Sequence, residues 1–247
     1  MSFDDFIDLL TKEDLEKINQ AFREHQNLKP VYNFGKIKTK DLEKLFDLKI
    51  IFDQEDFNNW FNYEIILKDE EVLFLKTLLE QEKNLLRFYN EEDLKVHFIS
   101  PILNRINFKS YENEVRDFYE EFLIYETNDF ILKGITDFFV AKGLKNPKIP
   151  YFFIQEFKRG AGYSDPEPQL LAELISAVEL NKFNYMKGAF IIGENWIFVI
   201  LNRLAEHKYH YSLSRTFNAS NINDLQCIYK NLLFVKNEIL NIKATPK

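Results

Sequence analysis

Charged residues interrupt two strongly apolar segments near the middle of this chain. Asp137 lies within Gly-Ile-Thr-Asp-Phe-Phe-Val, and Glu156 and Lys158 lie within Tyr-Phe-Phe-Ile-Gln-Glu-Phe-Lys, which ends at Lys158. The β-branched and aromatic residues around them predict buried strands, in which an unpaired charge is costly to desolvate. A divalent metal ion held by Asp137 and Glu156, with Lys158 beside it, would account for all three charges.

The spacing of these residues supports such a site. Residues two apart in a strand share a face and lie about 6.5 to 7 Å apart, which places Glu156 beside Lys158. If the two strands form a hairpin across residues 142–147, Asp137 comes within about 5 Å across the ladder. Two carboxylates at that separation repel unless a cation lies between them, and Mg²⁺ suits such a pair. Lys158 could then orient or help deprotonate a water, or stabilise charge on a phosphate.

The elements that must position these residues are predicted from apolar spacing and capping signals. The first 90 residues have helical periodicity, beginning with Phe3, Phe6, Ile7 and Leu10 and continuing after a cap at Thr11. Asn90 is expected to cap a further helix, in which Pro101 should produce a kink or an early end.

Alternating strand and helix signals follow the Asn90 helix. A hairpin near residues 127–129 precedes the two charged strands, and the glycine-rich break Arg159-Gly160-Ala161-Gly162 ends the second of them. A helix starting near Pro166, a hairpin across residues 193–195 and a helix over 222–242 complete the pattern. The sequence predicts an α/β fold, in which a mixed central sheet is flanked by helices and preceded by a helical N-terminal extension.

Composition limits the classes of function. The chain has 247 residues, one cysteine and a net charge of −7, and residues 1–90 carry 13 basic against 19 acidic residues. This balance argues against a protein that coats nucleic acid through a basic surface. The start of the chain lacks signal-peptide features, and the apolar segment 188–201 is too short to cross a membrane. A cytoplasmic protein without membrane association is therefore expected.

The order of the charged motifs resembles that of the PD-(D/E)XK nuclease superfamily, and in particular the nuclease-like N-terminal segment of type I restriction motor subunits. The likeness covers about residues 90 to 205. Four segments carry it in order: Asn-Glu-Glu-Asp-Leu-Lys from Asn90, Ile-Thr-Asp-Phe around Asp137, Gln-Glu-Phe-Lys-Arg around Glu156, and Pro-Gln-Leu-Leu-Ala-Glu-Leu from Pro168. Two positions depart from the family pattern. Thr136 replaces the proline before the aspartate, and Glu173 stands where some members have a tyrosine.

The resemblance implies a restriction-endonuclease-like domain over residues 90–247, with residues 1–89 as the helical extension. It implies that Asp137, Glu156 and the carbonyl of Phe157 hold Mg²⁺, with Mn²⁺ as a possible substitute. It also implies that Lys158 is catalytic, supported by a helix glutamate and by Gln169. Glu91 is the expected helix glutamate, with Glu92 as the alternative. Gln169 is expected to approach the lysine or the substrate backbone.

The function implied by the resemblance is metal-dependent hydrolysis of DNA phosphodiester bonds, with DNA as the partner. Two alternatives stay open. One is a noncatalytic binding or assembly module that keeps the nuclease fold within a restriction or defence complex. The other is an intact metal site that acts on RNA. Protein partners and a homo-oligomer are compatible with each of these readings.

Overall fold

The computed structural model describes residues 11–25, 29–52, 55–158 and 165–241. Its strands are β1 (Val31–Asn33), β2 (Asp47–Ile51), β3 (Val115–Glu126), β4 (Ile131–Lys142), β5 (Lys148–Lys158), β6 (Tyr185–Ile192), β7 (Asn195–Ala205), β8 (Lys208–Leu213) and β9 (Phe217–Asn218). Its α-helices are α1 (Lys12–His25), α2 (Thr39–Leu45), α3 (Glu55–Phe61), α4 (Asp69–Glu82), α5 (Glu91–Leu94), α6 (Ser100–Ile106), α7 (Pro166–Asn181) and α8 (Ile222–Asn241). Short 3₁₀ turns occupy Phe34–Lys36 and Leu86–Phe88, and a π-helical turn over Lys95–Ile99 joins α5 to α6.

The strands form one mixed sheet of nine strands. Its main path runs β1–β4–β5–β6–β7–β8–β2, while β3 pairs with β4 and β9 with β7. The neighbours β5 and β6 are parallel and are connected by α7, whereas β4 and β5 form an antiparallel hairpin. The expected α/β class with a mixed sheet and flanking helices is therefore confirmed. The more specific restriction-endonuclease-like arrangement stays a prediction.

An apolar core covers each face of the sheet. One core contains side chains from α3, α4, α6 and α8, including Trp60, Leu75, Ile102 and Leu232. The other contains side chains from α2 and α7. In β5, Phe153 and Phe157 belong to the first core and Ile154 belongs to the second. Because side chains alternate along a strand, Glu156 and Lys158 lie on the face that α7 covers.

The front third of the chain contributes strands as well as helices, which the sequence interpretation did not foresee. β1 pairs in parallel with residues 131–133 of β4, and β2 pairs in parallel with β8. Phe34, just after β1, is fully buried in the core beneath α7. A methyl group placed on Gly134 of β4 would approach Phe34 to 2.9 Å, so glycine is needed there for the two segments to pack. The boundary expected near residue 90 stays a prediction.

The helix that follows Asn90 is regular at its start and irregular in its middle. The predicted cap is confirmed, since Asn90 Oδ1 accepts a 2.8 Å hydrogen bond from the backbone nitrogen of Asp93. The π-helical turn begins at Lys95, and α-helix resumes at Ser100 with Pro101 in its first turn. The irregularity expected at Pro101 thus occurs just before it, where a proline can start a new helical segment.

Two predicted features fall outside the described residues. These are the helical pattern from Phe3 to Leu10 and the glycine-rich break at 159–162. Among the helices that the structure describes, none is both long and apolar enough to cross a membrane.

Candidate active site where two strands part

The hairpin of β4 and β5 opens at Asp137. Backbone pairing between the strands runs from Lys142 and Lys148 to Phe138 and Gln155, so the next facing pair is Asp137 and Glu156. Here the backbone ladder is replaced by a side-chain contact, in which Asp137 Oδ2 accepts a 2.8 Å hydrogen bond from the backbone nitrogen of Phe157. The predicted hairpin is confirmed. Its strands separate where the charged side chains need room.

Glu156 and Lys158 are in direct contact on one face of β5. Lys158 Nζ donates a short hydrogen bond to Glu156 Oε1 and a second, of 2.9 Å, to the backbone carbonyl of Phe157. The Glu156 side chain is fully buried, and that of Lys158 is 14% exposed. Within the described part of the chain, Glu156 Oε2 has no hydrogen-bond partner. The structure therefore brings Asp137, Glu156 and Lys158 into one charged cluster, as the spacing predicted.

Burial and charge shift the protonation of this pair. Desolvation, reinforced by the nearby charge of Asp137, raises the pKa of Glu156 to about 8 despite the opposing effect of Lys158. Burial alone would lower the pKa of Lys158, but the carboxylates of Glu156, Asp137 and Glu91 outweigh it and raise this pKa. Lys158 is thus held as an ammonium ion. The charge of Asp137 therefore makes a bare carboxylate at Glu156 unfavourable unless a proton or a cation neutralises it.

The helix glutamate nearest to Lys158 in the charged cluster is Glu91. Its Oε1 lies 4.0 Å from Lys158 Nζ, and its side chain is 42% exposed. The neighbouring Glu92 is 68% exposed, and its Oε2 lies 3.6 Å from Lys95 Nζ instead. Of the two candidates from the sequence, the structure places Glu91 beside the lysine.

Gln169 is linked to the charged cluster through Glu173, a different contact from the expected one. It is buried on α7, and its Nε2 donates a 3.1 Å hydrogen bond to Glu173 Oε1. Glu173 is fully buried, and its Oε2 has no partner among the described residues. Burial, with the added charge of Glu156 nearby, raises the pKa of Glu173 well above its usual value. In this structure Gln169 therefore orients a buried acid, and contact with Lys158 or a substrate backbone stays a prediction.

Glu173 appeared in the sequence interpretation as a departure from a family pattern and was not given a role. The signal that could have found it is its spacing. Residues four apart lie on the same side of a helix, and Gln169 and Glu173 are both buried on α7 among mostly apolar residues. Two buried polar residues at this spacing indicate that each satisfies hydrogen-bonding groups of the other.

The sequence interpretation also missed the pair Lys95 and Glu120. Lys95 follows Glu91 by one helical turn and is buried, and its Nζ lies 2.7 Å from Glu120 Oε1. Burial alone would lower the pKa of Lys95, but the bond to Glu120 and the charge of Asp137 raise it. Glu120 has a φ of 53°, a left-handed conformation that is uncommon for residues other than glycine. It interrupts β3 between Tyr119 and Glu121, which pair with the residues on either side of Asp137.

The Lys95–Glu120 pair adds a second buried ammonium group, and the charge of Asp137 acts on it as it acts on Lys158. Strained backbone of this kind persists where the surrounding structure enforces it, and it is concentrated at functional sites. The apolar neighbours Leu94, Phe98 and Ile99 could have pointed to Lys95, because a lysine on the buried side of a helix requires a partner. Its partner, 25 positions later, could not be read from the sequence.

No family model matches this chain, and a search of curated proteins finds no match either. The likeness to PD-(D/E)XK nucleases accordingly stays a prediction drawn from the order of the motifs. The geometry at Asp137, Glu156 and Lys158 is independent of that likeness, and it supports the functional proposal made next.

Proposed function

We propose that this protein is a metal-dependent nuclease that hydrolyses phosphodiester bonds of DNA. One observation carries the proposal: Asp137, Glu156 and Lys158 form a charged cluster at the point where β4 and β5 part, and Glu91 lies beside the lysine. Two carboxylates and an ammonium group, held together in a mostly buried place, stabilise the fold poorly without a ligand. They do suit chemistry on a phosphate, whose negative charge needs both a cation and hydrogen-bond donors.

The donor set fits a magnesium ion. Glu156 Oε2 is buried without a partner in the described structure, and the nearby charge of Asp137 raises the pKa of Glu156. A cation between the two acids would satisfy that oxygen and remove their repulsion. The described residues form no group of three or more His, Cys, Asp and Glu side chains suited to a metal ion. Two carboxylates with the carbonyl of Phe157 match Mg²⁺, which keeps several waters, and Mn²⁺ accepts the same oxygen ligands.

When bound, such an ion lowers the pKa of water and polarises a phosphoryl oxygen. Lys158 contributes a fixed positive charge, because its hydrogen bonds to Glu156 and to the Phe157 carbonyl hold Nζ beside the two carboxylates. There it can orient the attacking water and stabilise charge on the phosphate. In the reaction the water oxygen would join phosphorus and release a proton to solvent, while the ester P–O bond breaks and the departing oxygen takes up a proton from solvent. Glu91, 4.0 Å from Nζ, helps to keep the lysine charged.

A noncatalytic module of a restriction or defence complex is the second candidate. The observation in its favour is that Glu156 and Lys158 already neutralise each other in direct contact. The net charge of −7 also points away from strong general attraction to a polyanion.

Calorimetric titration with Mg²⁺ or Mn²⁺ separates the two candidates. A nuclease site should bind the ion, and Asp137→Asn should remove that binding. Asp129→Asn, an exposed position in the β3–β4 turn, is the matched control and should bind as the parent does. Digestion of plasmid DNA with the bound ion then tests the reaction, and RNA of the same sequence tests the substrate. A parent protein that binds neither ion would favour the noncatalytic module.

A further inference from the structure

A groove between the front third of the chain and α7 lies near the charged cluster. It has a volume of about 580 Å³ and lies between the segment that follows β1 and the start of α7. Its lining includes Lys12, Lys36 and Lys38 on one side and Gln169 on the other. Clefts of this size accommodate groups as large as a nucleotide. We call it the lysine groove, defined by these four residues.

The lysine groove adjoins the candidate active site through Gln169. A methyl group placed on Gly35, which also lines the groove, would lie 3.8 Å from Gln169 Oε1. On its other side, Gln169 donates its hydrogen bond to Glu173, whose pKa is raised by burial and by the nearby charge of Glu156. The groove and the metal-binding acids are thus separated by about one layer of side chains.

The lysine groove is more basic than the rest of the front third. Residues 30–40 contain three lysines and no acidic residue, although residues 1–90 carry an excess of acids. Lys12, Lys36 and Lys38 are exposed, and none of the three forms a salt bridge with another described residue. The acids in the lining are Glu16 and Asp165, and Asp165 is engaged in capping α7. Unpaired lysines that converge on one groove are suited to bind an extended anion.

We propose that the lysine groove binds the sugar–phosphate backbone of the DNA strand on one side of the bond being cleaved. This inference rests on the proposed nuclease function and extends it, because it gives the front third a role in holding the substrate. Lys36 and Lys38 contact phosphates, while Gly35 leaves room for the strand to pass Gln169. Contacts of this kind position the strand and carry no sequence preference.

The test compares two double variants of the full chain that remove equal charge. Lys36→Ala with Lys38→Ala removes two lysines from the lining of the groove. Lys40→Ala with Lys44→Ala removes two exposed lysines nearby that do not line it. Binding of a labelled DNA duplex is measured by fluorescence anisotropy in EDTA, which prevents hydrolysis, over a range of salt concentrations. Thermal unfolding of both variants confirms that they are folded.

The groove variant should bind about tenfold more weakly at about 0.1 M salt, and its slope of log K against log salt should flatten by about one per lysine. The control variant should bind as the parent does. If the parent cleaves DNA but the two double variants bind equally, the groove proposal is wrong and the nuclease proposal stands. A loss seen with RNA of the same sequence but not with DNA would also overturn it. A parent that neither binds nor cleaves DNA would overturn both proposals.

Discussion

Gln169 Nε2 lies 3.1 Å from Glu173 Oε1, and this bond fixes a fully buried glutamate beside the buried Glu156. Each of the two glutamates has an Oε2 atom without a partner among the described residues. They differ in what neutralises them. Lys158 contacts Glu156, whereas Glu173 has the neutral amide of Gln169. We infer that, of these two glutamates, Glu156 is the one that binds the proposed metal ion, whereas Glu173 is an uncharged acid.

Replacing each of these glutamates by glutamine should therefore have different results. Glu173→Gln should keep hydrolysis within about threefold of the parent, a difference of under ~0.7 kcal/mol, because an amide resembles the neutral acid. Glu156→Gln should lose magnesium binding and at least about 100-fold in rate. Calorimetry and plasmid cleavage measure both quantities. Loss of metal binding in Glu173→Gln would show instead that this acid ionises and binds the ion.

Removing the ammonium group should abolish the reaction without unfolding the protein. Lys158→Ala is expected to reduce DNA hydrolysis by about 100-fold or more, because a fixed donor at the phosphate is lost. Lys148→Ala, at the exposed start of the same strand, is the control and should cleave at the rate of the parent. Circular dichroism checks the fold of both. A folded Lys158→Ala protein that cleaves as fast as the parent would refute the assignment.

Without metal, stability should fall as the pH rises. Burial raises the pKa of Glu156 from 4.5 to about 8, so the folded protein holds this proton more tightly than the unfolded chain. The resulting stabilisation is complete below about pH 4.5, declines as the pH rises and is lost above about pH 8. The total change in the free energy of unfolding is up to a few kcal/mol. Glu173, whose pKa is also raised, acts in the same direction.

Thermal unfolding in EDTA between about pH 5 and pH 9 measures this dependence. The midpoint should decrease with pH in the parent and decrease less in Glu156→Gln. Magnesium should restore stability at the alkaline end, where the ionised carboxylates are ready to bind it. Equal pH dependence in the parent and in Glu156→Gln would contradict the assignment of the raised pKa to this residue.

A methyl group on Gly134 should destabilise the fold through the front third. In Gly134→Ala the new carbon would meet Phe34 at 2.9 Å, and relief of that overlap should cost about 1–3 kcal/mol in the free energy of unfolding. Gly35→Ala is the matched control, since its nearest contact would be an ordinary 3.8 Å. Urea denaturation compares the two. Equal stability of Gly134→Ala and the parent would show that Phe34 can move aside.

The features that the sequence predicts correctly are those with a local signal. Strand periodicity and the intervening turn predict the hairpin of β4 and β5, and glycine and asparagine at 193–195 predict that of β6 and β7. Asn90 and Thr11 act as helix caps as expected. Asp137, Glu156 and Lys158 come together because each lies near the open end of one hairpin, whose register is set by its turn.

The features that the sequence does not reveal depend on distant partners. β1 has three residues and β2 has five, too few for a clear alternation, and each is stabilised by pairing with a strand about a hundred or more positions later. The bond between Lys95 and Glu120 likewise joins a helix to an interruption in β3. Local propensity carries no information about such pairings, which arise when the sheet assembles.

The packing of Phe34 onto Gly134 limits how this protein could be shortened or recombined. Gly134 lies on the same strand as Asp137, three residues before it, so a chain that starts near residue 90 would leave the space of the Phe34 ring empty on the strand that carries Asp137. In a chimera that joins residues 90–241 to an unrelated leading segment, that segment would need an aromatic residue to fill the space that Phe34 occupies against Gly134. Replacement of the front third by a segment without an aromatic residue at this point should therefore weaken the packing of β4.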